Sequence, residues 1–175
     1  MRTFRTWLVA LTAVLLLAAC GFQLRGAQTL PFKSIYVAVP DTSEFGALLK
    51  RAVRASNSTT LAERREDADV VFSISQDAME KFVLSVNNAG QAREYELRYR
   101  FGFTLTDAKG RSLISPASLL QQRVVTVNPA VAQEVLSKQQ EEELLRQDMQ
   151  RDLVQQVMRR LAAVKPLPPA DDGQQ

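Results

Sequence analysis

Cys20 is the only cysteine in the chain, and its neighbours decide what its thiol can do. Leu17, Ala18 and Ala19 precede it and close a thirteen-residue run, residues 7–19, that is apolar except for Thr12 and follows Arg2 and Arg5. A basic start, a short apolar middle and a small-residue cleavage site make a secretory signal. Cleavage there makes Cys20 the first residue of the mature chain. A lone thiol closes no internal disulfide, and the apolar run falls short of the roughly 20 residues a spanning helix needs. The chemistry open to Cys20 is acylation.

The segment is similar to a bacterial lipobox, in which the cysteine is diacylated through sulfur and its freed amine is then acylated. Several acyl chains, at about 0.8 kcal/mol per buried methylene, hold a protein on a membrane almost permanently. Gly21 stands where an aspartate would resemble an inner-membrane retention signal, which by that resemblance sends the lipoprotein to the outer membrane.

The remaining inventory excludes most catalytic classes. The chain has no histidine, and so lacks the commonest general base and metal ligand. With Cys20 used as an anchor, cysteine-nucleophile chemistry has no thiol left and zinc loses its preferred Cys and His donors. Serine chemistry would need a lysine base, but Ser137 and Lys138 are adjacent and point to different sides of a helix. The seven glycines form neither a dinucleotide fingerprint nor a phosphate loop. Arg2 and Arg5 leave with the signal, so the mature part holds 20 basic against 19 acidic residues, a net +1. That balance argues against a dedicated polyanion-coating protein, nucleic-acid binders included, and any anion site must be local. No cofactor or metal is expected, and the inventory is that of a binding or assembly protein.

The elements that must position any site follow from periodicity. Residues 20–33 are expected as an extended leader, residues 20–165 as one domain and residues 166–175 as a disordered tail. Residues 34–39 are a β-branched and aromatic run stopped by Pro40, a first strand. Asp41 with Glu44 three residues on is a capping-box start, and Phe45, Leu48, Leu49, Ala52 and Val53 form a helical stripe ending near Arg54. After a charged link, Val70, Phe72 and Ile74 share parity with Phe82, Leu84 and Val86, with a bulge at Gln76 and Asp77. Asn87 to Gly90 is a hairpin tip. Beyond it Tyr95, Leu97, Tyr99, Phe101, Phe103 and Leu105 alternate with Glu94, Glu96, Arg98, Arg100, Thr104 and Thr106, a strand over residues 93–106. A turn ending at Gly110 leads to a last strand, most strongly extended at residues 123–127. Residues 130–164 lack Gly and Pro and carry the stripe Val131, Leu136, Leu144, Leu145, Met149, Leu153, Val157, Leu161 and Val164, one long amphipathic helix. Glu141, Glu142 and Glu143 are expected on its solvated face. The fold class is α+β, ordered β-α-β-β-β-α, with an elongated, mostly antiparallel four-stranded sheet and two helices on one face. That leaves Glu94, Glu96, Arg98 and Arg100 on the open face. A half-solvated sheet and a surface fitted to the polar lumen of an outer-membrane β-barrel both account for it.

The start Cys20-Gly21-Phe22-Gln23-Leu24-Arg25-Gly26, the segment from Glu94 to Leu97 just past an Asn/Gly hairpin, the Asn128-Pro129 junction into a long helix, and the element order together resemble the LPS-assembly lipoprotein family, LptE. The resemblance implies an outer-membrane lipoprotein that sits 1:1 inside the barrel of an LptD-type partner, assists its assembly and binds lipopolysaccharide, without enzymatic activity. It also implies basic residues near the hairpin tip and the strand-to-helix junction, since lipid A phosphates call for Arg or Lys. The tip here is Asn87-Asn88-Ala89, so the candidates are the nearest cations, Arg93, Arg98, Arg100, Arg123 and Lys138. A solvent-facing charge that keeps a strand soluble is the plainer account of each. The alternatives are a lipoprotein of another, phospholipid-transporting outer-membrane system, and a two-carboxylate glycan hydrolase, which would need a deep cleft.

Overall fold

The computed structural model describes residues 28–128 and 130–165, of which residues 132–136 by backbone alone. The signal run, Cys20, the leader up to residue 27, Pro129 and the tail at residues 166–175 lie outside the described residues. The elements are β1 (Ser34–Ala38), α1 (Glu44–Ala55), β2 (Thr60–Leu61), a 3-10 turn (Arg65–Asp67), β3 (Val70–Val86), β4 (Ala92–Asp107), β5 (Ser112–Thr126) and α2 (Ala132–Ala162).

The α+β class and the order of the long elements agree with the sequence, whereas the expected four-stranded, mostly antiparallel sheet is corrected. The sheet has five strands in the order β2-β1-β3-β4-β5 and is mixed. β1 pairs in parallel with both β2 and β3, and β3, β4 and β5 pair antiparallel. Parallel pairing of β1 with β3 follows from the crossover through α1. β2 escapes a reading by periodicity because it is two residues long in a Ser/Thr-rich run. Its backbone bonds define it: the Thr60 N–H donates to the Lys33 carbonyl at 2.8 Å and the Ala62 N–H to that of Ile35 at 2.9 Å.

Both helices cover the β4 face that carries Leu97, Tyr99, Phe101, Phe103 and Leu105, all buried. Phe45 of α1 stacks on Phe101 with ring centroids 3.9 Å apart, and Phe72 on Phe103 at 5.4 Å. Sixteen residues of β4 span about 50 Å at 3.3 Å each and the 31 residues of α2 about 46 Å at 1.5 Å each, so helix and ribbon match in length. Packing starts within the expected leader: Leu30 is buried and its N–H donates to Ser58 Oγ at 2.9 Å.

Two local expectations are corrected and one is borne out with a consequence for the strand beyond it. Ser43, not Asp41, caps α1, its Oγ accepting the Gly46 N–H at 3.0 Å, because the Ser43 N–H closes a turn back to the Pro40 carbonyl and leaves Asp41 inside that turn. The bulge expected near Gln76 is present as a register shift between Ile74 and Gln76. The extra residue inverts the side chains that follow it up to the next register shift, between Val83 and Ser85, so Phe82, opposite Glu96, lies on the face away from the helices. The apolar stripe of α2 is buried at Met149, Leu153, Val157 and Leu161, with Val154 and Met158 added, whereas Leu144 and Val131 are exposed. α1 begins at Glu44 beside Arg146, so only beyond that level does α2 have both sheet and helix to pack on. The Leu136 side chain lies outside the described residues.

Candidate interaction face

On the face the helices leave open, the ladder registers place residues of β3, β4 and β5 in rows. These are Ala78, Arg100 and Leu120; Glu80, Arg98 and Gln122; Phe82, Glu96 and Val124; Ser85, Glu94 and Thr126. Period two on each strand puts the members of the first three rows on one side, and the register shift between Val83 and Ser85 brings Ser85 to that side as well. Each arginine holds a glutamate, although the buried Arg98 Nε has no hydrogen-bond partner among the described residues. Arg100 Nη1 donates to Glu80 Oε2 at 2.7 Å, Arg98 Nη2 to Glu96 Oε2, and Gln122 Nε2 to the second Glu96 oxygen at 2.9 Å. The Arg98 guanidinium also lies 4.4 Å above the Phe82 ring, a cation-π contact. Ser85 Oγ donates to Glu94 Oε2 at 2.6 Å. Between the pairs, Phe82 is 38%, Leu120 51% and Val124 58% exposed. Three glutamates face two arginines here, so both cations are neutralised while Glu94, bonded only by the Ser85 hydroxyl, leaves the ladder one net negative charge, and an anion would reach Arg98 or Arg100 only by displacing a glutamate.

The five candidate cations do not converge. Arg98 and Arg100 share the open face. Arg123 faces the helices, and its Nη2 donates to Asp152 Oδ2 of α2 at 2.9 Å, tying edge strand to helix. Lys138 donates to Glu141 at 2.6 Å along α2. Arg93 is exposed next to the hairpin tip, its carbonyl accepting the Val127 N–H at 2.8 Å.

Polar contacts under α2 went unread in the sequence. The three consecutive glutamates expected on a solvated face are each paired: Glu141 with Lys138, Glu142 with Lys81, and Glu143 with Arg146 at 2.6 Å. Lys81 also sits 4.0 Å above the Tyr95 ring. Its charge between Met79 and Phe82 was the one available signal. Arg146 holds Glu44 of α1 as well, at 2.6 Å, and its guanidinium bonds push the Glu143 carboxyl down to about 2 while raising its own affinity for the proton. Nearby, burial raises the Tyr99 phenol well above its usual range. Its hydroxyl donates to Asp77 Oδ1 at 2.6 Å and accepts from the Gln150 amide at 3.3 Å. The cleft above them is lined by Glu44, Asp77, Tyr99 and Arg146, and both of its carboxylates are engaged by those partners.

Among the described residues, no helix is long and apolar enough to cross a membrane. A family model described as LptE, lipopolysaccharide-assembly, matches residues 32–161. The chain is 27% identical over 155 residues to the LPS-assembly lipoprotein LptE of Photorhabdus laumondii subsp. laumondii, a match covering 87% of this chain and 82% of that one. A solution structure of lipoprotein B from Nitrosomonas europaea superposes with a TM-score of 0.68 at 35% identity, covering 82% of this chain and 91% of that one. The crystal structure of rare lipoprotein B from Shewanella oneidensis shares the fold, with a TM-score of 0.63 at 23% identity over 75% and 95% of the two chains.

Proposed function

Since the chain belongs to the LptE lipopolysaccharide-assembly family, we propose that it is the lipoprotein subunit of an outer-membrane lipopolysaccharide translocon. In this reading it is anchored by lipid on Cys20 and seated one to one in the lumen of an LptD-type β-barrel. The open sheet face is the observation that carries this. A barrel lumen is lined by hydrophilic side chains, and burying bare charges against it would cost several kcal/mol each. The paired rows Glu80 with Arg100 and Glu96 with Arg98 enter such a lumen already compensated. The exposed Phe82, Leu120 and Val124 supply apolar area between them, at about 25 cal/mol per Å² covered. Such a surface, about 23 Å long over the seven residues from Glu94 to Arg100, also gives a nascent barrel a template on which to close, which is the assembly role.

Lipopolysaccharide recognition falls to cations outside that ladder. Arg93 at the hairpin and Lys138 in the first turns of α2 are the candidates, because a phosphate reaches them without dismantling a cross-strand pair. Arg98 and Arg100 then serve the barrel, and Arg123 serves the fold. Site-specific photocrosslinking in the outer membrane tests the assignment. A probe at Leu120 or Val124 should join the lipoprotein to a β-barrel. Crosslinks from the helix-layer position Gln155 with none from Leu120 or Val124 would contradict it.

A further inference from the structure

We propose that the outward surface of the helix layer, at the end where the chain enters the fold, rests on an anionic phospholipid surface. The two helices run in the same direction: α1 returns antiparallel to β1, and α2 returns antiparallel to β5, which is parallel to β3 and so to β1. Their C-terminal ends meet at Phe32. Thr59 Oγ1, just past α1, donates to the Phe32 carbonyl at 2.7 Å, and Val164, just past α2, lines the same crevice as Phe32. Charge is distributed unevenly over this layer. Elsewhere Arg64, Arg98, Arg100, Arg111, Arg123 and Arg146 each hold a carboxylate, and among the described residues the two that do not, Arg65 and Arg93, stand singly. Arg51, Arg54, Arg159 and Arg160 are exposed and, among the described residues, none has an ion-pair partner. α1 has no acidic residue after Glu44 and α2 none after Asp152. Lys33 and Lys165, both exposed beside the same junction, add to the field.

Proximity to the anchor selects the occupant. Leu30 is fixed to Ser58, at the C-terminal end of α1. Nine residues separate it from Cys20, and ten fully extended residue steps reach about 35 Å at most. A chain acylated at Cys20 therefore holds this end of the helix layer within a few nanometres of the headgroups. Cations near such a surface add to binding, and their contribution fades within a Debye length. Arg54, Arg159 and Arg160 also lie in the last turns of their helices, where the helix dipole favours cations and keeps them in place. The inference rests on the lipid anchor proposed above and is independent of the barrel.

Vesicle flotation of the mature chain carrying Cys20→Ala isolates this surface, because the vesicles contain neither barrel, acyl anchor nor lipopolysaccharide. On vesicles with one third phosphatidylglycerol at low salt the protein should float, and on pure phosphatidylcholine it should not. Each Arg near the surface is worth about fivefold, so the variant R51Q/R54Q/R159Q/R160Q should partition at least a hundredfold more weakly. R98Q/R100Q should behave as the parent. Equal binding to both vesicle types, or a quadruple variant with the parent's melting temperature and undiminished partitioning, would overturn the proposal. Loss of barrel co-purification from cells with vesicle binding intact would count against the translocon reading alone.

Discussion

Arg100 on β4 and Glu80 on β3 meet across the open face, Nη1 to Oε2 at 2.7 Å, with both side chains near 40% exposed. A pair so exposed contributes about 0.2 to 1 kcal/mol. Its larger consequence is that the face presents no bare charge at that row. Arg100→Glu should therefore lower the melting temperature by only a few degrees while setting two carboxylates against each other and cutting recovery of the barrel severalfold. Glu80→Arg combined with Arg100→Glu should restore recovery. Thermal melts beside pull-down yields read both.

The other face behaves as a core. Phe101 is fully buried between Phe45 and Phe103. Phe101→Ala should cost about 3 to 5 kcal/mol, measured as a drop in the urea midpoint with unchanged slope.

Capping gives a paired test. Ser43→Ala removes the acceptor for the Gly46 N–H and should cost about 1 kcal/mol. Asp41→Ala should leave stability within about 0.5 kcal/mol, since Asp41 is exposed and holds only Lys50 at 3.5 Å.

The bulge on β3 can be probed from the neighbouring strand. A Cβ on Gly102 would lie 2.6 Å from Ser75 Oγ and 3.3 Å from the Gln76 backbone nitrogen. The hydroxyl can rotate away but the backbone cannot, so Gly102→Val should cost about 1 to 3 kcal/mol. Shortening β3 by Ser75 should relieve that strain at the price of turning Phe82 toward the helices.

Acid stability should report the Arg146 contacts. Hydrogen bonds from Arg146, then Gln147, push the Glu143 carboxyl from its ordinary value near 4.5 down to about 2, and Arg146 lowers Glu44 likewise. A depressed carboxylate stabilises the fold above its unfolded value and loses that contribution as pH falls through its folded one. The parent should thus lose more stability between pH 5 and pH 2 than Glu143→Gln, as compared by denaturant midpoints.

How far the sequence carried varies with the kind of pattern. β4 was legible because its alternation over a dozen residues has one interpretation, and the tip and turn were legible because Gly90 and Gly110 adopt φ of 74° and 80°. β2 was not, since two residues carry no period and the backbone of β1 recruits them. The face of Phe82 was not legible from parity, because parity survives in sequence while one extra residue at Ser75 inverts it in space. Individual charges were the least legible. Arg98 and Arg123 look alike in a strand pattern, yet one pairs with Glu96 on the open face and the other with Asp152 of α2. Cation positions follow from register, and register is a property of the pairing rather than of either strand.

The most direct measurement is affinity purification of the mature lipoprotein from detergent-solubilised outer membrane, followed by mass identification of what accompanies it. The expected result is a large β-barrel in one-to-one amount that stays bound through washing and is lost with Arg98→Glu and Arg100→Glu while the lipoprotein remains folded. A lipoprotein recovered alone, or one accompanied by inner-membrane transporter subunits, would contradict a seat in the barrel lumen.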